Sequence, residues 1–475
     1  HQPSQETLDG LTRLYFNGEY QKVLDQTERL LALFPNSSDL YNINGASHAE
    51  LGQLDLAVKC YKHAIQRSPE DANSYNNMGV SLKKQNKLAD AVRAFIKTLS
   101  IDPDYAEAYL NMGNVFRDKG ELEFALDSYS DAIKVKSDYA EAFNNMGFSL
   151  LNKGNIQSAA HFYKQAIKIN PNYADAHNNL GVSLQKLGRF EEAELSYRNA
   201  INIKPDFIEC CDNLLYLQSI HNFNYKHYLQ DIRSYVDILR KKITFRFSQW
   251  SCLDNPKNLR VGFVSGDFKN HPVGYFLEGL LNELKSTSIE VYAYTTTFIE
   301  DDLTLRIKPY VSDWKSLWGK TDDDCARIVH NDNIHILIDL AGHTDLNRLP
   351  IFARKPAPIQ VSWLGYWAST GVPEIDYILG DQFITPYNEA HHFSEKIWQL
   401  PESYLCFTEP NVSVDVKSLP AQQNGYVTFG CFNKLLKMTD ENVSVRARVL
   451  NSIPKSKLFL KDSQLQHQSV RDQII

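Results

Sequence analysis

The chain has 475 residues but no cysteine pattern that would hold a metal or staple a fold. Its seven cysteines (60, 210, 211, 252, 325, 406 and 431) form no CxxC and no cysteine–histidine cluster. That spacing predicts reduced thiols and excludes a zinc site or a disulfide framework. No run of about 18 apolar residues occurs, so no membrane-spanning helix is expected. The opening residues lack a signal-peptide pattern, which makes cytoplasm the expected compartment. They start at His1 rather than Met, so the true N-terminus is expected further upstream. A formal net charge of -7 gives no basic excess for nucleic acid or a membrane surface. Neither the GxGxxG of a dinucleotide site nor the GxxxxGKS of a phosphate loop is present.

What the first half does have is a period. Gly45, Gly79, Gly113, Gly147 and Gly181 recur every 34 residues. Ala57, Ala91, Ala125, Ala159 and Ala193 keep the same interval, as do Tyr61, Phe95, Tyr129, Tyr163 and Tyr197. Pro35, Pro69, Pro103, Pro171 and Pro205 close the units, with Ser137 replacing one member. These columns resemble the tetratricopeptide repeat, in about six units over residues 1–220. Small residues let two helices of a hairpin approach, the aromatic is expected to fill the gap between hairpins, and proline ends the second helix. Stacked units bury what one hairpin cannot, forming an α-solenoid with a concave groove.

A further column, Asn77, Asn111, Asn145, Asn179 and Asn213, lies two residues before the glycine position of each unit, and Ile43 breaks it at its N-terminal end. Asparagine on a solvated helix face costs little, which is one reading. The other is that a row of amides, each donor and acceptor, clamps an extended peptide backbone whatever its side chains. The row resembles the asparagine ladder in the superhelix of protein O-GlcNAc transferases, which implies acceptor proteins or peptides as partners of the groove.

After residue 220 the period is lost. Residues 221–258 read as a linking helix, and from Leu259 short apolar runs alternate with helical stretches. Strands are predicted at Leu259–Ser265, Glu290–Thr295, Ile334–Asp339, Ile359–Leu364 and Tyr377–Gly380, with helices near Tyr275–Leu284, Asp322–His330 and Asn347–Arg354. That alternation predicts a parallel sheet covered by helices, with ligands at the carboxyl ends of its strands. Three motifs gather there: Asp267-Phe-Lys-Asn-His271-Pro272, Asp339-Leu-Ala-Gly-His343-Thr344, and Pro356-Ala-Pro-Ile-Gln-Val-Ser-Trp-Leu-Gly-Tyr366.

Together the three motifs resemble the N-terminal catalytic half of O-GlcNAc-transferase-like glycosyltransferases (family 41, bacterial type), in which tetratricopeptide repeats precede a GT-B fold. The implied architecture is α + α/β: a repeat solenoid, a Rossmann-like GT-B half over 259–420, and the start of a second half over 421–475. Lys355 stands where the family has arginine, and Tyr366-Trp-Ala-Ser-Thr-Gly371 replaces the usual Tyr-Pro-Gly-Thr-Ser-Gly, changes that bear on sugar or acceptor preference. The resemblance places His271 at the reacting centre, as base or as substrate-orienting group; a histidine that only holds the turn is the other reading of this residue. His343, at a strand end, has the same two readings. His391-His392 are expected as a surface pair, and no metal or cofactor is implied.

Residues 425–438 resemble the opening of the family's second half. There the lysine matching Lys437 contacts the nucleotide-sugar diphosphate and Asn433 shapes the loop. The resemblance implies UDP-GlcNAc as donor and inverting transfer to serine or threonine hydroxyls of proteins. Two strands of the second half cannot bury their own faces, so the chain is expected to be a C-terminally truncated form with little turnover. Two alternatives stay open: a non-catalytic repeat scaffold with a vestigial α/β part, and a transferase for another sugar or acceptor. Oligomeric state is not legible.

Overall fold

The computed structural model describes residues 2–475 except 222–223, 253–254, 409–414, 416, 434–437, 439, 463–464, 466–470 and 472–475. The described chain forms two compact units, His1–Leu187 and Gly188–Ile475.

The first unit is helical hairpins throughout. α1 (Gln5–Phe16) and α2 (Tyr20–Leu33) form the first, followed by α3 (Ser38–Glu50) and α4 (Leu54–Arg67), then α5 (Ala72–Lys84) and α6 (Leu88–Ile101). α7 (Ala106–Asp118), α8 (Leu122–Val135), α9 (Ala140–Asn152), α10 (Ile156–Ile169) and α11 (Ala174–Lys186) continue the series. Ala57, Ala91, Ala125 and Ala159 are fully buried, as the small-residue column requires. The aromatic column packs differently from expectation. A Cβ on Gly45, Gly79, Gly113 or Gly147 would lie 2.6–2.8 Å from the ring of Tyr61, Phe95, Tyr129 or Tyr163. Each ring therefore fills the notch left by the glycine of its own hairpin, which is why the two columns share one phase. A column not singled out in the sequence makes the tight turn: Gly52, Gly120 and Gly154 adopt φ of +74°, +77° and +80°, and Asn86 takes the same left-handed role at φ 59°.

The second unit opens with α12 (Phe190–Ile203), α13 (Ile208–Ile220) and α14 (Tyr225–Lys242). Strands β1 (Leu259–Ser265), β2 (Ile289–Thr295), β3 (Asp313–Ser316), β4 (Ile336–Asp339), β5 (Ile359–Trp363), β6 (Tyr377–Gly380) and β7 (Lys396–Gln399) form one sheet. Its order is β3-β2-β1-β4-β5-β6-β7, and every pairing is parallel. The five anticipated strands are its interior and near-interior members, while β3 and β7 are the two edges. Four short positions carrying Lys, Asp, Ser and Gln give an edge strand no apolar run to read.

Helices cover both faces, as an all-parallel sheet demands. α15 (Pro272–Leu284) and α16 (Asp302–Ile307) bury Leu277, Leu281, Leu303 and Ile307 against Val261, Phe263 and Val291. On the other face α17 (Asp322–Asn331) and α18 (Leu349–Phe352) pack with α13 and α14, through Leu215, Tyr228, Ile232, Tyr235 and Leu239. The helix expected to link two domains thus packs on one face of the sheet, burying Tyr228, Ile232, Tyr235, Val236 and Leu239 there. Beyond the sheet, α19 (Pro420–Asn424), β8 (Thr428–Cys431), α20 (Asp440–Ser452) and β9 (Lys457–Leu460) follow, with β8 and β9 paired in parallel.

Candidate active site

The chain leaves β1 toward β2 and β3 on one side, then returns to add β4 to β7 on the other. The reversal between β1 and β4 opens a crevice at their carboxyl ends. The first two motifs are the loops that follow those two strands.

In the loop after β1, Ser265 Oγ accepts the Asp267 N–H at 2.9 Å. A side chain on Gly266 would press on Leu346 Cβ at 2.7 Å and Thr296 Oγ at 3.0 Å, so glycine lets the loops after β1, β2 and β4 close on one another. Thr296 Oγ donates to the Leu346 carbonyl at 2.8 Å, and Leu346 itself is held at φ 58°. Leu364, just past β5, is held at φ 75°. A leucine in the left-handed region costs about 1–3 kcal/mol and persists only where its surroundings impose it. Two such leucines stand at adjacent strand ends of the crevice.

His271 is the N-cap of α15: its Nδ1 accepts the Val273 N–H at 3.4 Å, and Pro272 occupies the first helical position. Asp267 Oδ2 lies 3.4 Å from the same nitrogen. The two contacts ask for opposite tautomers, since one offers a proton to Nδ1 and the other offers a carboxylate. Burial pushes the Asp267 carboxyl up from its ordinary value, an effect partly countered by the nearby charges of His271 and Lys269. Asn270 anchors the loop, with its N–H on Asp301 Oδ2 at 2.6 Å and its side chain on Asp302 Oδ1 at 2.5 Å. The imidazole stays part exposed, with 39% of its side chain open to solvent.

His343 is placed quite differently. Its side chain is fully buried, Nδ1 lies 2.6 Å from Asp212 Oδ1 on α13, and Nε2 donates to the Thr370 carbonyl at 2.9 Å. Tyr235 and Tyr366 meet the ring edge to face at 4.8 and 5.4 Å. Both nitrogens are engaged inside the core, so none faces the crevice. The chain Asp212–His343–Thr370 continues through the Thr370 N–H to the buried Glu395 carboxylate at 2.8 Å. No sequence signal marked Asp212 as its partner, because 131 residues separate the two. Trp367, one of the residues departing from the family pattern, donates its indole N–H to the Ser219 carbonyl of α13 at 3.2 Å.

Asp339 closes β4 and is fully buried, accepting the N–H groups of Gly342 and Ala341 at 2.8 and 3.2 Å. Burial pushes its carboxyl up to about 6, the two backbone donors pulling the other way. Between its unfolded value near 4 and about 6 the native state holds the extra proton, so stability falls as pH rises through that window and levels off above it. Asp339→Asn should remove this slope, by at most about 3 kcal/mol. Urea melts of both proteins at pH 4.5 and 7 check it: a slope unchanged in the variant overturns the assignment.

The asparagine row is braced within the solenoid. The side-chain NH2 groups of Asn77, Asn111 and Asn179 donate to Asn42, Asn76 and Asn144 at 3.1, 3.2 and 3.0 Å. These acceptors form a second column of period 34, broken by Leu110, where Asn145 donates instead to Asn114 at 2.9 Å. The carbonyl oxygens of Asn77, Asn111 and Asn179 accept from no donor among the described residues. At the Ile43 end the first unit has a cavity of about 300 Å³, lined by Tyr15, Phe16, Ile43, Ala46 and Asn77 among others. Asn213 lies on α13 in the second unit.

Asn433 is exposed in the turn after β8 and lines a cleft of about 460 Å³ with Gly430, Phe432, Arg446 and Val449. Lys437 lies outside the described residues. His392 pairs with Glu389 at 3.6 Å, and both His391 and His392 meet the Tyr225 ring.

Comparison with known proteins agrees with this architecture. Residues 231–418, which contain all seven strands of the larger sheet, match the model of glycosyl transferase family 41. Tetratricopeptide-repeat models match residues 45–86, 81–116, 113–154, 149–188 and 174–207. A probable UDP-N-acetylglucosamine--peptide N-acetylglucosaminyltransferase SPINDLY of Hordeum vulgare is 37% identical over 243 residues, 50% of this chain and 26% of that protein. The corresponding SEC protein of Arabidopsis thaliana is 35% identical over 213 residues, 43% of this chain and 22% of that one. The chain thus matches about a quarter of the length of these relatives. Among solved structures, a point mutant of the Thermobaculum terrenum O-GlcNAc transferase superposes with a TM-score of 0.69 at 28% identity, covering 78% of this chain and 70% of that one. With repeats in front and that match across the whole sheet, residues 231–418 of this chain are similar to glycosyl transferase family 41.

Proposed function

We propose that the protein transfers N-acetylglucosamine from UDP-GlcNAc to serine or threonine hydroxyls of proteins, with the repeat groove holding the acceptor. The observation that carries this reading is His271, a half-exposed imidazole capping α15 in the crevice between β1 and β4. In the reaction the acceptor hydroxyl oxygen bonds to the anomeric carbon, the bond from that carbon to the UDP oxygen breaks with inversion, and the hydroxyl proton leaves. His271 orients or deprotonates that hydroxyl. Asn433 and Lys437 belong to the donor side, where a cation steadies the departing diphosphate. His343 contacts no substrate in this scheme; it holds the crevice wall. The carbonyl oxygens of Asn77, Asn111 and Asn179 supply acceptors for the N–H groups of an extended polypeptide, and Asn145 and Asn213 complete the row. No metal takes part, and the protein works in the cytoplasm.

The test is incubation of the full-length gene product with radiolabelled UDP-GlcNAc and a cell extract. Label in protein bands, released by cleavage of O-linked sugar, is the expected result. Label from a different UDP-sugar would redirect the donor assignment, and no label from any donor would favour a binding scaffold.

A further inference from the structure

The column next to the asparagine row changes chemistry where the repeats reach the sheet. Asn42, Asn76, Asn144 and Asn178 occupy it at intervals that are multiples of 34, and the next member is Asp212. In the first unit the amides at 42, 76 and 144 serve the neighbouring repeat, accepting from Asn77, Asn111 and Asn179. Asp212, 7% exposed, offers a carboxylate instead, and that carboxylate reaches His343 at 2.6 Å. From there the chain of hydrogen bonds runs through the Thr370 peptide group to Glu395, which also receives the hydroxyls of Ser369 and Thr370. His343 follows β4 by four residues, so the path ties α13 to the loop that leaves the carboxyl end of β4.

Beside this path the contacts are equally close. Tyr228 on α14 donates to the Ser369 carbonyl at 2.7 Å and receives the Tyr366 hydroxyl at 2.7 Å. A Cβ on Gly371 would overlap Ile232 of α14, and one on Gly342 would overlap Tyr366. Such packing admits no sliding of α13 and α14 on the strand ends. Asn213, the last member of the asparagine row, is the residue after Asp212 on the same helix.

The geometry points to Asp212 as a positioning residue: through His343 and Thr370 it fixes the last rung of the acceptor groove against the crevice where transfer occurs. It touches no reacting atom. This inference rests on the glycosyltransferase reading above. It adds that the acceptor's register is set by a buried carboxylate–imidazole path rather than by the asparagine row alone. A column of amides suffices between repeats, which need only stack. A charge-assisted bond to a fully buried ring is shorter and more directional, which suits a junction that must not drift.

The experiment compares two activities of the full-length protein: transfer to protein acceptors, and hydrolysis of UDP-GlcNAc by water in their absence. Asp212→Asn keeps the side-chain shape and removes the charge. Transfer should fall about tenfold, chiefly through a higher KM for the acceptor protein, while hydrolysis stays within about twofold. An equal fall in both activities would make the pair a general structural brace and overturn the proposal, as would no change in either. Absence of transfer and hydrolysis in the unmodified protein would defeat the glycosyltransferase reading itself, and this inference with it. His343→Gln, whose amide retains a donor toward Thr370, carries the same comparison should Asp212→Asn fail to fold.

Discussion

Transfer of labelled sugar to protein should drop by about 10²–10⁴-fold when His271 is replaced by asparagine, with the fold intact. Asparagine is among the best N-cap residues, so it preserves the bond that the ring makes to the Val273 N–H. It lacks a group that titrates near neutrality and it shortens the reach into the crevice. Stability should therefore stay within about 0.5 kcal/mol of the parent while activity collapses. His271→Ala should lose the activity and, in addition, about 1 kcal/mol of cap energy. The pair of variants separates catalysis from capping. Near-normal transfer by His271→Asn, in the same radiolabel assay, would reduce His271 to a structural cap.

Gly365→Ala should cost the second unit about 3 kcal/mol or more, the largest stability loss expected of any single methyl group added here. Its Cβ would overlap the Leu340 carbonyl oxygen, a main-chain atom at the end of β4 that has no rotamer to move into. The preceding Leu364 is already held at φ 75°, so the loop has no slack to offer. By contrast, a Cβ on Gly10 in α1 meets nothing within 4 Å, and Gly10→Ala should raise stability by about 0.5–1 kcal/mol through lower chain entropy. Denaturant melts of the two variants give the comparison. A Gly365→Ala protein as stable as the parent would mean that the β4 and β5 loops are far looser than their contacts imply.

Much of this was legible from residue patterns. The columns of glycine, alanine and aromatic residues betray the solenoid because stacking repeats one packing problem every 34 residues. β1 and β5 show as apolar runs because they are buried on both faces. β3 and β7 did not show, since at the sheet's edges none of their residues is buried and polar side chains interrupt any apolar run. The aromatic column was visible but its partner was not: only coordinates place Tyr129 against Gly113 of the same hairpin rather than in the gap beyond it. His271 and His343 looked equivalent, each following a strand within a polar motif. Their difference comes from Asp212, Tyr235 and Thr370, which lie far off in sequence and close around His343 alone. The amide column at 42, 76 and 144 escaped notice because Leu110 and Asp212 interrupt its residue type.

The packing of α13 and α14 into the face of the sheet also bears on the order of events during synthesis. These helices leave the ribosome before any strand of the sheet exists. Tyr228, Ile232, Tyr235, Val236 and Leu239 then form an apolar stripe whose partners are still untranslated. The hairpins of the first unit rest on contacts between sequence neighbours and can form as they emerge, whereas parallel strands joined by long crossovers form late. The nascent chain therefore passes through an interval in which a finished solenoid carries an uncovered greasy stripe at its trailing end. That interval is where a chaperone would be needed.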